Sequence, residues 1–345
     1  MPSLTVPSAP GLKTAWRHEL DDYGVALKWA PKARTLVVGT SDGTVTVFDG
    51  NGQVLARWSA HRNGLNALAW SANGQRLATG GQDGQARIWD PNTGLCVEEI
   101  PTEAQWVECV AYSPREEHLA ITAGRKLAIW SGKGNRLEQY PDQPSTIADI
   151  DWQPDSVFFA VACYGKLSIY QVGSTKPVKE FAWKGSILRV KWSPDGDFIA
   201  TGNQDATVHF WYRKSGRDLE MSGYPFKVRE LSWDTDSRLL ATGGGPAVTV
   251  WNCSGKGPAG TRPIELQGHV EPVSALCFQH KGALLASGAR DGRVCIWKIK
   301  DPGKPVAGVQ FDSAISQLAW STDGRFLAAL TREGQLAVFN IADGV

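Results

Sequence analysis

The amino-acid sequence predicts an all-β chain built from one repeated antiparallel unit, and three observations carry that prediction. The clearest is the stretch His61–Asp90. Its three short β-type runs, LNALAW, RLATGG and QARIW, are separated by turn residues at Asn73-Gly74 and Asp83-Gly84. Asn-Gly and Asp-Gly supply the positive-φ positions that tight hairpins need, so the stretch reads as a three-strand meander. Secondly, an aromatic recurs at Trp29, Trp70, Tyr112, Trp152, Trp192, Trp233, Phe278 and Trp320, at spacings of 41, 42, 40, 40, 41, 45 and 42. Thirdly, another column follows it: Phe48, Trp89, Trp130, Tyr170, Trp211, Trp251, Trp297 and Phe339. Together the columns hold eleven of the fifteen tryptophans, which assigns most of the Trp excess to packing between equivalent strands.

Taken in order, the first strands are VALKW, LNALAW, VECVAY, IADIDW, ILRVKW, VRELSW, VSALCF and ISQLAW. Their alternation of apolar and polar residues fits half-buried strands. Each is followed by a turn, such as SANGQ, SPREE, QPDS or STDGR, and then by second and third strands. Seven outer strands lie between repeats: QVLARWSA, LCVEEIPT, NRLEQYPD, KPVKEFAW, RDLEMSGY, RPIELQG and KPVAGVQF. Only Ile341–Val345 follow the last unit, too short for an eighth. The N-terminal GLKTAWRHE is therefore expected to supply it, with Trp16 near the position that Trp58 holds in the second repeat. Residues 11–18 would pair with 336–340, and closing the ring would remove a free sheet edge.

A period of about 40 to 45 residues with four strands per unit resembles the WD40 repeats of β-propellers. The family's hydrogen-bonded set is a His before the first strand, Ser/Thr in the second, Asp in the next turn and Trp in the third. Here it is complete twice, as His61, Thr79, Asp83 and Trp89, and as His269, Ser287, Asp291 and Trp297. Elsewhere it is eroded: the first repeat keeps Thr40 and Asp42, the fifth Thr201, Asp205 and Trp211. The His position is otherwise taken by Asp21, Glu103, Gln143, Trp183, Tyr224 and Phe311. The resemblance implies a single domain over residues 1–345, an eight-bladed WD40 β-propeller with four antiparallel strands per blade. The loosest stretches are 212–218 and 253–263.

Composition narrows the function classes. Thirty-six Lys and Arg against 35 Asp and Glu give a net charge of +1, which offers no overall reason to expect nucleic acid or a membrane surface as partner. Residues 1–14 lack the basic and apolar regions of a secretory signal, and no apolar run approaches the roughly 20 residues of a membrane span. The expectation is a cytoplasmic protein. The six cysteines (96, 109, 163, 253, 277 and 295) form no C-x-x-C pair and read as core residues.

Chemistry is sought and not found. Gly39-Thr-Ser41-Asp-Gly43 fits G-x-S-x-G, but it lies in a hairpin, not at the strand-to-helix turn a nucleophile elbow requires. Gly255-Lys-Gly257-Pro-Ala-Gly260 matches G-x-G-x-x-G without a following helix to hold a pyrophosphate. His18, His118, His209 and His280 fall in unlike positions with no metal-ligand spacing. Asp149 and Asp151 share one strand face and read as channel lining rather than an acid–base pair. No catalytic residue, metal site or cofactor is expected.

What remains points to binding. Loops on a rigid scaffold commonly carry function, and the WD40 resemblance implies peptide or protein binding on the face formed by the connections before the first strands and the second-to-third-strand turns. The candidates there are Trp106, Trp183, Lys184, Tyr224, Phe226, Lys227, Arg229 and Arg62, joined from the turns by Gln82, Gln204, Arg290 and Arg332. Trp, Tyr and Arg are enriched at interface hot spots. Trp183 and Tyr224 occupy the His position, so packing there is the competing reading. The segments EFAWKGSILRVKWSPDG (180–196) and EMSGYPFKVRELSW (220–233) also resemble a group of bacterial WD40 proteins whose genes often lie beside zinc-responsive metallochaperone GTPases. That resemblance implies a scaffold in metal homeostasis. The leading expectation is a non-enzymatic protein-interaction scaffold; the alternative is a propeller that binds a metal or small ligand in its channel.

Overall fold

The computed structural model describes residues 10–115, 117–154, 157–255 and 257–341. Residues 1–9, Glu116 of the SPREE turn, Asp155 and Ser156 of QPDS, Lys256, and residues 342–345 lie outside the described residues. Strands follow one another with no helix among the described residues, so none is long and apolar enough to cross a membrane.

The strands, in chain order, begin with β1 (Lys13–Glu19) and a first sheet of β2 (Gly24–Trp29), β3 (Leu36–Thr40), β4 (Thr44–Phe48) and β5 (Val54–Ser59). The second holds β6 (Leu65–Trp70), β7 (Leu77–Gly81), β8 (Gln85–Trp89) and β9 (Cys96–Pro101). The third holds β10 (Cys109–Tyr112), β11 (His118–Ala123), β12 (Lys126–Ser131) and β13 (Arg136–Gln139). A six-stranded sheet follows: β14 (Ile147–Trp152), β15 (Phe158–Gln171), β16 (Ser174–Trp192), β17 (Phe198–Asn203), β18 (Val208–Tyr212) and β19 (Asp218–Met221). Next come β20 (Leu231–Trp233), β21 (Leu239–Thr242), β22 (Val248–Asn252) and β23 (Ile264–Leu266), then β24 (Val273–Phe278), β25 (Leu284–Ala289), β26 (Arg293–Lys298) and β27 (Ala307–Gln310). The last sheet has the order β1-β30-β29-β28, from β28 (Ile315–Trp320), β29 (Phe326–Thr331) and β30 (Gln335–Asn340).

These seven sheets correct the expectation of eight separate four-stranded blades. The fourth and fifth repeats share one sheet because two strands run without a break where the sequence suggests turns. β15 pairs with β14 through residues 159–163 and with β16 through 164–171, and β16 continues to pair with β17 through 187–192. Tyr164 opposite Ser186 joins the halves. The difference lies at the expected turn of the fourth repeat, where the backbone stays paired. In the first and seventh repeats a turn carboxylate draws in the local amides: Asp42 accepts from Thr44 N at 2.9 Å and Asp291 from Arg293 N at 2.9 Å. The fourth repeat has no Asp there. Its Cys163-Tyr164-Gly165-Lys166 stays in the ladder, with Gly165 taking the left-handed backbone at φ +87°.

The chain's two ends meet in the last sheet, where β1 pairs antiparallel with β30 from Lys13 opposite Asn340 to Glu19 opposite Gln335. The core lies between neighbouring sheets. Across the closure, Leu27, Leu36, Val38 and Phe48 pack with Ala328, Leu330, Leu336 and Val338. Trp16 stacks near Phe48 at 5.5 Å between ring centroids, as Trp58 does against Trp89 at 5.5 Å.

The first aromatic column also ties repeats together by hydrogen bonds. The indole N–H of Trp70 donates to Lys28 O (3.3 Å), that of Trp152 to Ala111 O (3.0 Å) and that of Trp192 to Asp151 O (3.1 Å). Trp320 donates to Cys277 O and Trp29 to Ala319 O, both at 3.0 Å, which carries the pattern across the closure. Each bond reaches the innermost strand of the preceding repeat, so an indole donor and an inner-strand carbonyl satisfy each other, with Trp29, Trp152, Trp192 and Trp320 buried and Trp70 half-buried.

Candidate functional site

The connections into the inner strands and the second-to-third-strand turns lie at one end of every sheet, where they bond to one another. Gln82 N donates to Gly64 O (2.9 Å), Gln204 N to Ser186 O (3.0 Å), Phe226 N to Gly244 O (2.9 Å) and Arg332 N to Ala314 O (2.8 Å). Turn glycines link one repeat to the next. Gly43 O accepts from Ala60 N at 2.8 Å, and a Cβ on Gly43 would stand 2.0 Å from His61 O. These ends form a continuous loop face around the channel mouth.

Two repeats hold the hydrogen-bonded set. His61 Nδ1 is 2.9 Å from Asp83 Oδ1 and Nε2 is 2.8 Å from Thr79 Oγ1, while Trp89 Nε1 donates to Thr79 Oγ1 at 2.8 Å. In the seventh repeat His269 Nε2 is 2.7 Å from Ser287 Oγ, which accepts from Trp297 Nε1 at 2.8 Å. The His269–Asp291 contact is longer, at 3.5 Å. Burial lowers the pKa of His61 and favours its neutral ring. Burial opposes the charge on Asp83, but hydrogen bonds from Arg87 and His61 outweigh it and hold the carboxyl at about 2.

The other repeats fill the His position differently. Tyr224 replaces the imidazole with a phenol: its hydroxyl is 2.8 Å from Thr242 Oγ1 and accepts from Trp251 Nε1 at 2.8 Å. Burial pushes this phenol up to about 12. Gln143 Nε2 donates to Tyr170 OH at 3.0 Å. Trp183 lies half-buried over His209, with centroids 3.8 Å apart. Glu103 pairs with Lys126 and Asp21 with Arg57. Tyr224 and Trp183 are therefore built into their sheets.

The remaining candidates sit on the loop face. Arg62, Trp106, Lys184, Gln204, Phe226, Lys227, Arg229, Arg290 and Arg332 are exposed, and Gln82 is half-buried with its amide donating to Asn66 Oδ1 at 3.1 Å. They are spread around the rim rather than gathered in a pocket. Sequence reasoning misses two aromatics on the same face, Tyr23 before β2 and Tyr164 within β15, where the fourth repeat's second-to-third-strand turn is expected. All four exposed large aromatics among the described residues, Tyr23 (58%), Trp106 (54%), Tyr164 (59%) and Phe226 (54%), belong to this face, whereas exposed Val54, Leu55, Val97, Leu137 and Val178 lie on outer strands. A signal existed for Tyr164. It stands 82 residues after Gln82, two repeats on, at the equivalent turn position, but no acidic residue follows it.

The inner strands line a channel cavity of about 590 Å³. Asp149 and Asp151 face it and are already partnered. Asp149 accepts from Arg189 Nη1 (3.3 Å) and Val190 N (3.0 Å); Asp151 accepts from Lys191 Nζ and Trp192 N, both at 2.8 Å. The two carboxylates stitch β14 to β16. Burial raises the Asp151 pKa against the pull of Lys191. Lys28 opens onto the same channel, and burial, then Lys191 and Arg189, lower its pKa. Among the described residues, no group of three or more His, Cys, Asp or Glu side chains could hold a metal ion.

The comparisons with known proteins agree with this architecture. The family model for the IFT122 first beta-propeller matches residues 24–261, well over half of the chain, and the model for the WD domain, G-beta repeat, matches residues 260–298. The chain belongs to the WD40-repeat β-propeller family. Among its relatives are the Denticleless protein homolog of Danio rerio, 24% identical over 96% of this chain and 55% of that protein, and THO complex subunit 3 of Arabidopsis thaliana, 22% identical over 79% of this chain and 87% of that protein. This chain thus spans only about half the length of the Danio rerio relative. A solved structure of the computationally designed protein Ika8 superposes with a TM-score of 0.82, covering 96% of this chain and 100% of that chain at 19% identity. That likeness bears on the fold alone.

Proposed function

We propose that this chain is a non-enzymatic interaction scaffold, acting as one domain in the cytoplasm, that seats a protein or peptide on its loop face. One observation carries the reading: every exposed large aromatic among the described residues belongs to that face, beside Arg62, Lys227, Arg229, Arg290 and Arg332. Exposed aromatics and arginines are the residue types that dominate binding energy in protein interfaces. The relatives are WD-repeat proteins, and one bears the name of a complex subunit. The near-zero net charge favours a protein partner over nucleic acid or a membrane surface. The test is affinity purification with Trp106→Ala, Tyr164→Ala and Phe226→Ala. Each truncation of an anchor should weaken partner retention by about 1–2 kcal/mol, or roughly five- to thirtyfold. Unchanged partner recovery from the triple variant would refute the site.

The channel supports a second reading, a small anionic ligand held by Lys28, because its ammonium faces the cavity and forms no ion pair with another described residue. Asp149 and Asp151 suit it less well as a metal site, since Arg189 and Lys191 already neutralise them. A link to metal homeostasis rests on the sequence resemblance of the middle repeats. Thermal shift with carboxylates, phosphate and zinc, in wild type and Lys28→Met, separates these readings; no shift with any of them removes both.

A further inference from the structure

The end of the ring opposite the loop face holds a groove of about 800 Å³ between three neighbouring sheets. Three first-to-second-strand turns build it, at residues 234–239, 278–284 and 323–325, with the ends of β22 and β26 and Ile341. Gln279 Nε2 donates to Gly324 O at 2.7 Å and fastens two of these turns together. The floor is apolar: Phe278, Leu284 and Ile341 are buried, and Leu239 and Ile299 half-buried. A groove of this size with an apolar floor matches the dimensions of ligand sites.

Its rim is cationic in a specific way. Arg238, Lys281, Lys298, Lys300 and Arg325 line it against Asp234, Asp236 and Asp323. The acids are already engaged. Asp234 accepts from the backbone of Arg238 (2.7 Å) and Leu239 (2.8 Å), Asp323 from Arg325 N (3.0 Å) and Ser321, and Asp236 is 3.9 Å from Arg238. Lys281, Lys298, Lys300 and Arg325 are exposed and form no ion pair with another described residue. Five cations against three carboxylates leave the rim net positive by two, and around an apolar floor this complements a carboxylate-rich segment carrying one large apolar side chain.

We propose that this groove is a second binding site, for an acidic peptide segment of a protein partner that buries one apolar side chain between the three turns. A nucleic acid fits less well, because its charge needs an extended basic track and gains nothing from the apolar floor. The site is independent of the loop face.

The test is fluorescence anisotropy on the full chain with a labelled glutamate peptide that carries a single central leucine. Saturable binding is expected, weakening about tenfold or more in K298E/K300E and about tenfold when glycine replaces the leucine, with Trp106→Ala unchanged. Circular dichroism of K298E/K300E checks the fold, and Lys281→Ala, also on the rim, should weaken binding in the same direction. Absence of saturable binding, or equal affinity in K298E/K300E, would overturn the proposal. Equal affinity for the leucine-free peptide, or full competition by a single-stranded DNA of matched charge, would also overturn it, by showing plain polyanion attraction. Loss of binding with Trp106→Ala would assign the peptide to the loop face instead.

Discussion

Replacing Tyr224 by Phe removes one oxygen from the sixth repeat and tests whether this residue holds the fold or binds a partner. The hydroxyl lies 2.8 Å from both Thr242 Oγ1 and Trp251 Nε1. Thr242 keeps a second partner, the carbonyl of Thr249 at 3.2 Å, but the Trp251 indole N–H is left without this acceptor. A buried donor without a partner costs about 1–3 kcal/mol and the lost bond to Thr242 about 1 kcal/mol, so the substitution should destabilise by about 3 kcal/mol. With an unfolding entropy of about 2.1 cal/mol/K per residue, a cooperative chain of this length has a total near ~0.7 kcal/mol/K, and Tm should fall by about 4 °C. Because burial pushes the phenol up to about 12, the bridge persists across any ordinary working pH. Differential scanning calorimetry measures the shift, and partner recovery should remain at the wild-type level. An unchanged Tm with lost partner recovery would refute this reasoning and place Tyr224 in the binding surface.

Two further outcomes follow from the same geometry. Deleting residues 10–19 removes β1, exposes the edge of β30 from Gln335 to Asn340 and uncovers Phe48, which Trp16 and His18 now cover. The truncated protein should melt lower and aggregate by light scattering; equal stability and monomer content would contradict the closure. Asp83→Asn should lose on the order of 1–2 kcal/mol near pH 7, after allowance for solvent screening. Because the folded carboxyl is held at about 2, below its ordinary value of 3.8, wild type keeps this advantage above about pH 4 and loses it as pH falls toward 2. Urea titrations at pH 7 and pH 2.5 should show the difference between the two proteins shrinking; a constant difference would remove the ionised Asp83 from the account.

Much of the architecture could be read from spacing. A period near 41 residues with two aromatic columns points to a ring of antiparallel units, because equivalent strands must bury equivalent side chains against their neighbours. The His61, Thr79, Asp83 and Trp89 set was likewise visible, since fixed offsets bring those groups together whenever the hairpins form. The site was less legible. Trp183 and Tyr224 read equally as partner contacts or as packing at the His position, and only the structure shows what each ring touches, Trp183 the imidazole of His209 and Tyr224 the side chains of Thr242 and Trp251. Tyr23 and Tyr164 looked ordinary, yet they stand in the open.

The sequence by itself determined the repeated unit, its strand order and the turn chemistry, because these depend on neighbours a few residues apart. Only the tertiary structure decided the number of sheets. That depends on whether extended backbone at Tyr164 and Ser186 pairs across twenty-two residues, and local propensity does not contain that pairing. The tertiary structure also decided that Asp149 and Asp151 are stitches rather than free acids, because their partners Arg189 and Lys191 arrive from the next repeat, 40 residues away. The basic groove has the same origin. Its cations come from three repeats, and only the closed ring sets them around one apolar floor.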